Sequence, residues 1–142
     1  PERCEEIFAE LIRSGGAGGG RRRRQHVGPD TIGANTVINA WLKSGRDDAA
    51  VSADAILRWM EVQSAPGGPE PRFDVRPNAN SYDMVLGTWS VSGLEGAAHR
   101  AEETLGKMLE ARGRGDEDAT RLRPSARTYA AVMNAWARSN EP

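Results

Sequence analysis

The sequence is poor in the residues that staple a small protein or anchor it in a membrane. Cys4 is the one cysteine among 142 residues, so no internal disulfide and no cysteine-based zinc site can form. No apolar run approaches the roughly 18 residues of a membrane span. The 19 basic and 20 acidic residues leave a net charge of −1, which excludes a uniformly basic nucleic-acid binder but not a local basic patch. Residue 1 is proline, so we expect any targeting peptide to lie outside this sequence.

Tryptophan, in contrast, recurs with a regular period. Trp41, Trp89 and Trp136 follow one another at intervals of 48 and 47 residues, and a period of roughly 20–50 residues indicates a repeat array. The flanking sequences agree in register: GPDTIGANTVINAWLKSG, RPNANSYDMVLGTWSVSG and RPSARTYAAVMNAWARSN. A second segment repeats between them, as AAVSADAILRWM, AAHRAEETLGKM and the shorter CEEIFAEL near residue 1. Each unit thus has an A and a B segment, and the chain reads B, A, B, A, B, A.

Both segments have the apolar spacing of amphipathic helices. The second A segment places apolar side chains at i, i+3, i+4 and i+7 from Tyr82 to Trp89, and the other A segments repeat this stripe. A favoured N-cap residue follows a proline before each A segment, and a glycine follows the first two. These residues are Asp30, Asn78 and Ser125, then Gly45 and Gly93. We expect a solvated outer face along the B segments, at Glu5, Glu6, Asp54, Glu102 and Glu103.

The four tryptophans are expected to pack inside the protein rather than to stack on a ligand. Burying one is worth on the order of 4 kcal/mol by area, whereas stacking one base is worth roughly 1–3 kcal/mol. Trp41, Trp89 and Trp136 lie on the apolar stripes, and Trp59 lies within a B segment beside Met60.

Long polar stretches rich in glycine and proline follow each B segment and predict surface loops. One of them contains the run Arg21 to Arg24, for which a solvated loop is favoured over a phosphate contact. Neither His26 nor His99 has a second ligand at metal spacing. We therefore predict no metal, no cofactor, no small-molecule substrate and no catalytic centre in this segment.

The repeated unit resembles the pentatricopeptide repeat (PPR) family, with P-type-like repeats and long loops between them. The residues that carry the resemblance are Pro77, Asn78, Ser81, Tyr82, Val85, Leu86, Trp89, Ala101, Glu102, Leu105 and Met108. The first A segment departs from the family, because Gly33–Ala34 stands where Ser/Thr–Tyr is expected. The unit is also about a dozen residues longer than usual, and the excess falls in loops, where insertions are tolerated.

The resemblance implies an all-α fold, a right-handed α-solenoid of antiparallel helical hairpins. Residues 1–13 form helix B of a preceding repeat, 29–76 and 77–123 form complete repeats, and 124–142 contain helix A of a following repeat. Because about three repeats are normally needed for stability, further repeats of the same chain are expected at both ends.

The resemblance also implies sequence-selective binding of single-stranded RNA along the A helices, at about one base per repeat. In the family, the polar residue after the helix-A aromatic pairs with the residue just before the next helix A to contact one base. By that register the base-contacting residues are Asn35, Asn78, Asp83, Ser125 and Asp30. The pair Asn35–Asn78 implies a pyrimidine, C before U. No base follows for Asp83–Ser125, and Ala130 offers no hydrogen bond.

Further positions complete this predicted interface. The side chains that flank bases in the family correspond to Ile32, Asn80 and Arg127, and an Arg plane can stack on a base. Lys43 and Arg138 recur near the ends of A segments and are candidate phosphate contacts, although Val91 interrupts their row. The N-cap residues have a second interpretation as plain helix caps, which stays favoured for Ser125.

Two other functions remain open from the sequence. A tetratricopeptide-like scaffold would bind a peptide in its groove, although that family's tryptophan pattern is not met. Alternatively, the array guides an attached enzyme, such as a transfer-RNA-processing nuclease or an editing deaminase, whose metal signature is absent from these residues. The PPR resemblance implies a mitochondrion or plastid, and a role in RNA processing, stability or translation.

Overall fold

Six α-helices and no strand occur in the part of the chain that the computed structural model describes, residues 1–15, 28–65, 73, 75–113 and 122–139. The B segments form α1 (Glu2–Gly15), α3 (Ala49–Ser64) and α5 (Ala97–Gly113). The A segments form α2 (Thr31–Ser44), α4 (Ala79–Ser92) and α6 (Ala126–Arg138). The predicted all-α class is confirmed. The run Arg21 to Arg24 and His26 lie outside the described residues.

The A helices begin at the three predicted N-caps. The Asp30 carboxylate accepts a hydrogen bond from the backbone N–H of Gly33 at 2.7 Å. Asn78 and Ser81 form a capping box, in which each side chain accepts from the other residue's backbone N–H. Ser125 and Thr128 form the same box at α6. These contacts pair N–H groups that have no partner within a helix, and they fix the first turn of each A helix.

A repeated serine and a glycine end the A helices. In each helix the serine three residues after the tryptophan donates its hydroxyl to the tryptophan carbonyl. The pairs are Ser44–Trp41 at 2.6 Å, Ser92–Trp89 at 3.0 Å and Ser139–Trp136 at 2.8 Å. Gly45 and Gly93 follow with φ of 62° and 63°, a left-handed conformation that a Cβ would strain. The predicted glycine ends are therefore confirmed.

The helices pack as hairpins, and their A members lie next to one another. Short connections, residues 45–48 and 93–96, join α2 to α3 and α4 to α5, and the helices of each pair pack together. α2 also packs against α4, and α4 against α6, while α1, α3 and α5 each pack against the A helix that follows. The approach of α2 to α4 is close at Gly87, where a Cβ would lie 3.3 Å from Leu42 Cδ1. α4 is thus the centre of the described array.

The apolar stripes predicted for the first two A helices form the core. Their buried members are Ala34, Val37, Ile38 and Trp41 on α2, and Tyr82, Val85, Leu86 and Trp89 on α4. Small side chains on the B helices, Ala50, Ala53, Ala98 and Ala101, are also buried and let the helices approach closely. On α6 the stripe is only partly covered, since Tyr129 and Met133 are exposed. Within the described residues no B helix follows α6 to cover them.

The B helices differ from expectation at Asp54, and equivalent positions differ in burial at Cys4. Asp54 was expected on a solvated face, but it is buried and its carboxylate pairs with the Arg58 guanidinium one turn later, at 3.0 Å. That partner makes the burial of a carboxylate tolerable. Cys4 is exposed although it aligns with the buried Ala53, because within the described residues no A helix covers that side of α1. Trp59 packs as predicted, edge-on to Phe8 at 5.3 Å between ring centroids.

Candidate nucleic-acid interface

The first predicted pair comes together where the first turns of α2 and α4 meet. Asn35 Nδ2 donates a hydrogen bond to Asn78 Oδ1 at 3.3 Å, although the two residues are 43 positions apart in the chain. Both side chains are half-buried, so each keeps some solvent-accessible surface. The two polar groups therefore lie close enough together to contact the same ligand group.

Ser81 links the two members of this pair. Its hydroxyl lies 2.6 Å from Asn35 Oδ1 and 3.1 Å from Asn78 Oδ1, and it also accepts from the Asn78 backbone N–H at 3.1 Å. The three side chains thus form one hydrogen-bonded cluster across two repeats. Because Ser81 is fully buried, the surrounding protein fixes its position and, through it, the position of the two amide groups.

The second predicted pair is linked in the same way by Thr128. The Thr128 hydroxyl donates to Asp83 Oδ1 at 2.6 Å. It also lies 3.3 Å from the Ser125 hydroxyl and accepts from the Ser125 backbone N–H at 2.9 Å. Thr128 therefore links Asp83 to Ser125 as Ser81 links Asn35 to Asn78, one unit further along the chain, although only the first pair also shares a direct hydrogen bond.

Hydrogen bonds between a side-chain hydroxyl and the backbone hold the two A helices in this register. The Thr31 hydroxyl donates to the backbone carbonyl of Arg76 and accepts from its backbone N–H, each at 3.1 Å. This clamp joins the start of α2 to the segment that leads into α4. It explains why Asn35 and Asn78 meet at the same level.

The remaining predicted residues share one side of the A helices. Spacings of three and four residues place side chains on a common helix face. We call this the A-helix face, and its members are Ile32, Asn35, Asn39 and Lys43 on α2, Asn80, Asp83, Gly87 and Val91 on α4, and Arg127, Ala130, Asn134 and Arg138 on α6. Ile32 is 75% exposed, and Asn80, Arg127, Lys43 and Arg138 are also exposed. Asp30 lies at the start of α2, where its carboxylate is engaged as the cap.

The sequence does not identify Ser81 and Thr128 as members of the two polar clusters. There the recurring hydroxyl before tyrosine serves only as a mark of the PPR resemblance. The available signal was the recurrence itself, since a hydroxyl stands at the third position of α4 and α6. Gly33 occupies that position in α2, so the start of α2 lacks the linking hydroxyl.

Two groups with shifted pKa values lie away from the A-helix face. A hydrogen bond from Arg100 holds the pKa of the Glu103 carboxyl below its usual range. Hydrogen bonds to Asp48 and Glu2 raise the pKa of the Arg46 guanidinium. Both shifts come from surface ion pairs on the side of the B helices and the connections, so they do not bear on the polar clusters.

The buried tryptophans do not belong to the A-helix face. The indole nitrogens of Trp41 and Trp89 are buried and have no acceptor within the described residues. The Arg46 guanidinium lies over the Trp41 ring at 5.5 Å from its centroid, and that of Arg100 lies 5.8 Å from the Trp89 centroid. Their packing role is confirmed. Trp136 is half-buried and meets the His99 ring edge-on at 4.8 Å.

Comparison of the chain with known protein families, with curated proteins and with solved structures gives no match. Among the described helices, none combines the length and apolar character of a membrane span. No group of three potential metal ligands occurs within the same residues. The polar clusters and the A-helix face are therefore the features that point to a function.

Proposed function

We propose that this chain is part of a PPR-type array that binds single-stranded RNA in a sequence-selective manner. The observation that carries the proposal is the pairing of Asn35 with Asn78 across two repeats, at 3.3 Å. Side-chain amides offer hydrogen-bond donors and acceptors at short reach, which is what recognition of a base edge requires. The repetition of the cluster at Asp83 and Ser125 supports one base site per unit.

The surroundings of the two clusters suit an unpaired strand. Ile32 and Asn80 stand exposed at the second position of their helices, where they can flank a base, and Arg127 does the same on α6. Lys43 and Arg138 are exposed near the other end of the A helices, and a basic side chain there can contact phosphate oxygens. Base-contacting and phosphate-contacting groups thus occupy separate levels of the same face.

The proposed architecture is a right-handed α-solenoid in which the A helices line the binding surface. Packing of α2 against α4, and of α4 against α6, supports it. Further repeats would continue the array beyond α1 and α6, and the exposed Tyr129 and Met133 would then be covered by a B helix. We propose a role in organellar RNA processing, stability or translation, with no catalytic centre in this segment.

A binding titration tests the proposal. Eight-nucleotide single-stranded RNAs of different sequence and a duplex of the same length are titrated into the chain at low salt. We expect selective binding of single strands and a loss of selectivity in Asn35→Ala. Gln63→Ala is the matched control, because this side-chain amide lies on the B helix α3 and is not part of the A-helix face. Weak binding without any preference among sequences would instead favour a protein-interaction scaffold.

A further inference from the structure

The backbone at the start of α4 determines how the first polar cluster is oriented. The Ser81 backbone N–H donates to the side chain of Asn78 at 3.0 Å, so the atom that faces it must be the carbonyl oxygen Oδ1. The atom of Asn35 that faces this oxygen must then be Nδ2, which leaves Asn35 Oδ1 toward the Ser81 hydroxyl. Both amide oxygens therefore point into the protein.

The atoms left for a ligand at this first cluster are N–H groups. One hydrogen of Asn35 Nδ2 and both hydrogens of Asn78 Nδ2 are not used by the contacts within the cluster. The first cluster consequently offers hydrogen-bond donors.

At the second cluster Asp83 has the opposite character, whereas the Ser125 hydroxyl can still donate. The Ser125 backbone N–H donates to Thr128 Oγ1 at 2.9 Å, so the hydroxyl proton is directed away from it, toward Asp83 Oδ1 at 2.6 Å. An aspartate carboxylate accepts hydrogen bonds and donates none. Within the described residues Oδ2 of Asp83 accepts no hydrogen bond and the residue is only half-buried, so Oδ2 is an acceptor left for a ligand.

We propose that Ser81 and Thr128 are positioning residues that give Asn35 and Asp83 opposite hydrogen-bonding polarity, and that the Asp83 site selects bases that carry a ring N–H. Guanine and uracil have an N–H at the centre of the Watson–Crick edge, which can donate to Asp83. Adenine and cytosine have a ring nitrogen with a lone pair there, which the carboxylate oxygen repels. The inference rests on the proposed RNA binding, and it adds a base preference at a site for which the family resemblance gives none.

The experiment varies one nucleotide at a time. Eight-nucleotide RNAs carry two adjacent bases at the centre and abasic riboses elsewhere, so that the phosphates stay the same. One central base is fixed as cytosine for the Asn35–Asn78 site, and the other is varied through all four bases. The cytosine is placed on the 5′ side of the varied base in one set of RNAs and on its 3′ side in the other. We expect the wild-type chain to bind G or U at the varied position about tenfold more tightly than A or C, the size of one charge-assisted hydrogen bond.

Three variants separate the contribution of Asp83 from that of Thr128. Asp83→Asn replaces the carboxylate with an amide of the same shape and should abolish the preference for G and U. Thr128→Val removes the hydroxyl that holds Asp83 and should reduce the preference for G and U. Thr128→Ser keeps the hydroxyl and should show the preference of the wild-type chain. Thermal unfolding of each variant shows the fraction folded, and base preference is a ratio that a partly unfolded sample does not change.

The outcomes distinguish the inference from the proposed function. If the wild-type chain binds none of these RNAs, the proposed function fails and the inference fails with it. If it binds single strands selectively in the titration described above but treats all four bases alike at the second site, the inference alone is overturned. An unchanged preference in Thr128→Val would overturn the positioning role of Thr128.

Discussion

Asn35 and Asn78 belong to different repeats, yet their side chains share a hydrogen bond of 3.3 Å through Nδ2 and Oδ1. The contact forms because the first turn of α4, fixed by its capping box, lies against the first turn of α2. A helix cap thereby becomes part of a polar cluster that spans two units. The two interpretations that the sequence left open for Asn78, helix cap and interface residue, are thus compatible in one geometry.

Removing the Asn78 amide should lower stability as well as base preference. Asn78→Ala leaves the Ser81 backbone N–H and Asn35 Nδ2 without their acceptor, and loss of an N-cap costs about 1 kcal/mol. Urea unfolding measures this change. Asn78→Ser retains a capping oxygen, so it should recover most of the free energy of unfolding. Equal loss in both variants would show that the cap does not contribute.

Lys43→Ala should weaken binding to every RNA sequence alike. An exposed lysine that contacts phosphate contributes through counterion release, so its loss should reduce the slope of log affinity against log salt by about 1. The control is Lys107→Ala, because Lys107 lies on α5 with its ammonium 3.9 Å from Glu61. An unchanged slope in Lys43→Ala would remove Lys43 from the interface.

The left-handed glycine after α4 provides a test of the fold. Gly93 has φ of 63° and no atom within 4 Å of a Cβ built on it, so Gly93→Ala should destabilise through backbone strain alone, by about 1 kcal/mol. Gly106 lies inside α5 with equally open space and an ordinary helical backbone. Gly106→Ala should therefore stabilise, by about 0.5–1 kcal/mol. The same sign for both variants in urea unfolding would contradict the assigned conformations.

The Glu103 carboxyl should titrate below the ordinary glutamate value of about 4.3. A hydrogen bond from Arg100 lowers its pKa, burial opposes this, and the charge of Lys107 lowers it further. Because the pKa is lower in the folded state, the associated stability is present above the unfolded value and is lost as the pH falls through the folded one. NMR titration of the carboxyl carbon measures the midpoint. Arg100→Ala should move it back up, and an unmoved midpoint would refute the assignment.

The sequence was sufficient to predict the helices and their ends, because those features are local. A tryptophan period, a polar residue after proline and a following glycine determined where α2 and α4 begin and end. The cluster of Asn35, Ser81 and Asn78 depends on contacts between residues 43 to 46 positions apart, which come from the packing of α2 on α4. The burial of Asp54 likewise depends on which side of α3 its neighbours cover.

NMR titration with single-stranded RNA tests base binding between Asn35 and Asn78 most directly. The measurement follows the signals of their side-chain amide groups. We predict that both pairs of N–H signals shift together with one dissociation constant, while those of Gln63 on the B helix α3 stay in place. A duplex of the same length should leave all three unchanged. If the RNA binds and the signals of Asn35 and Asn78 do not move, or move no more than those of Gln63, Asn35 and Asn78 do not contact the RNA.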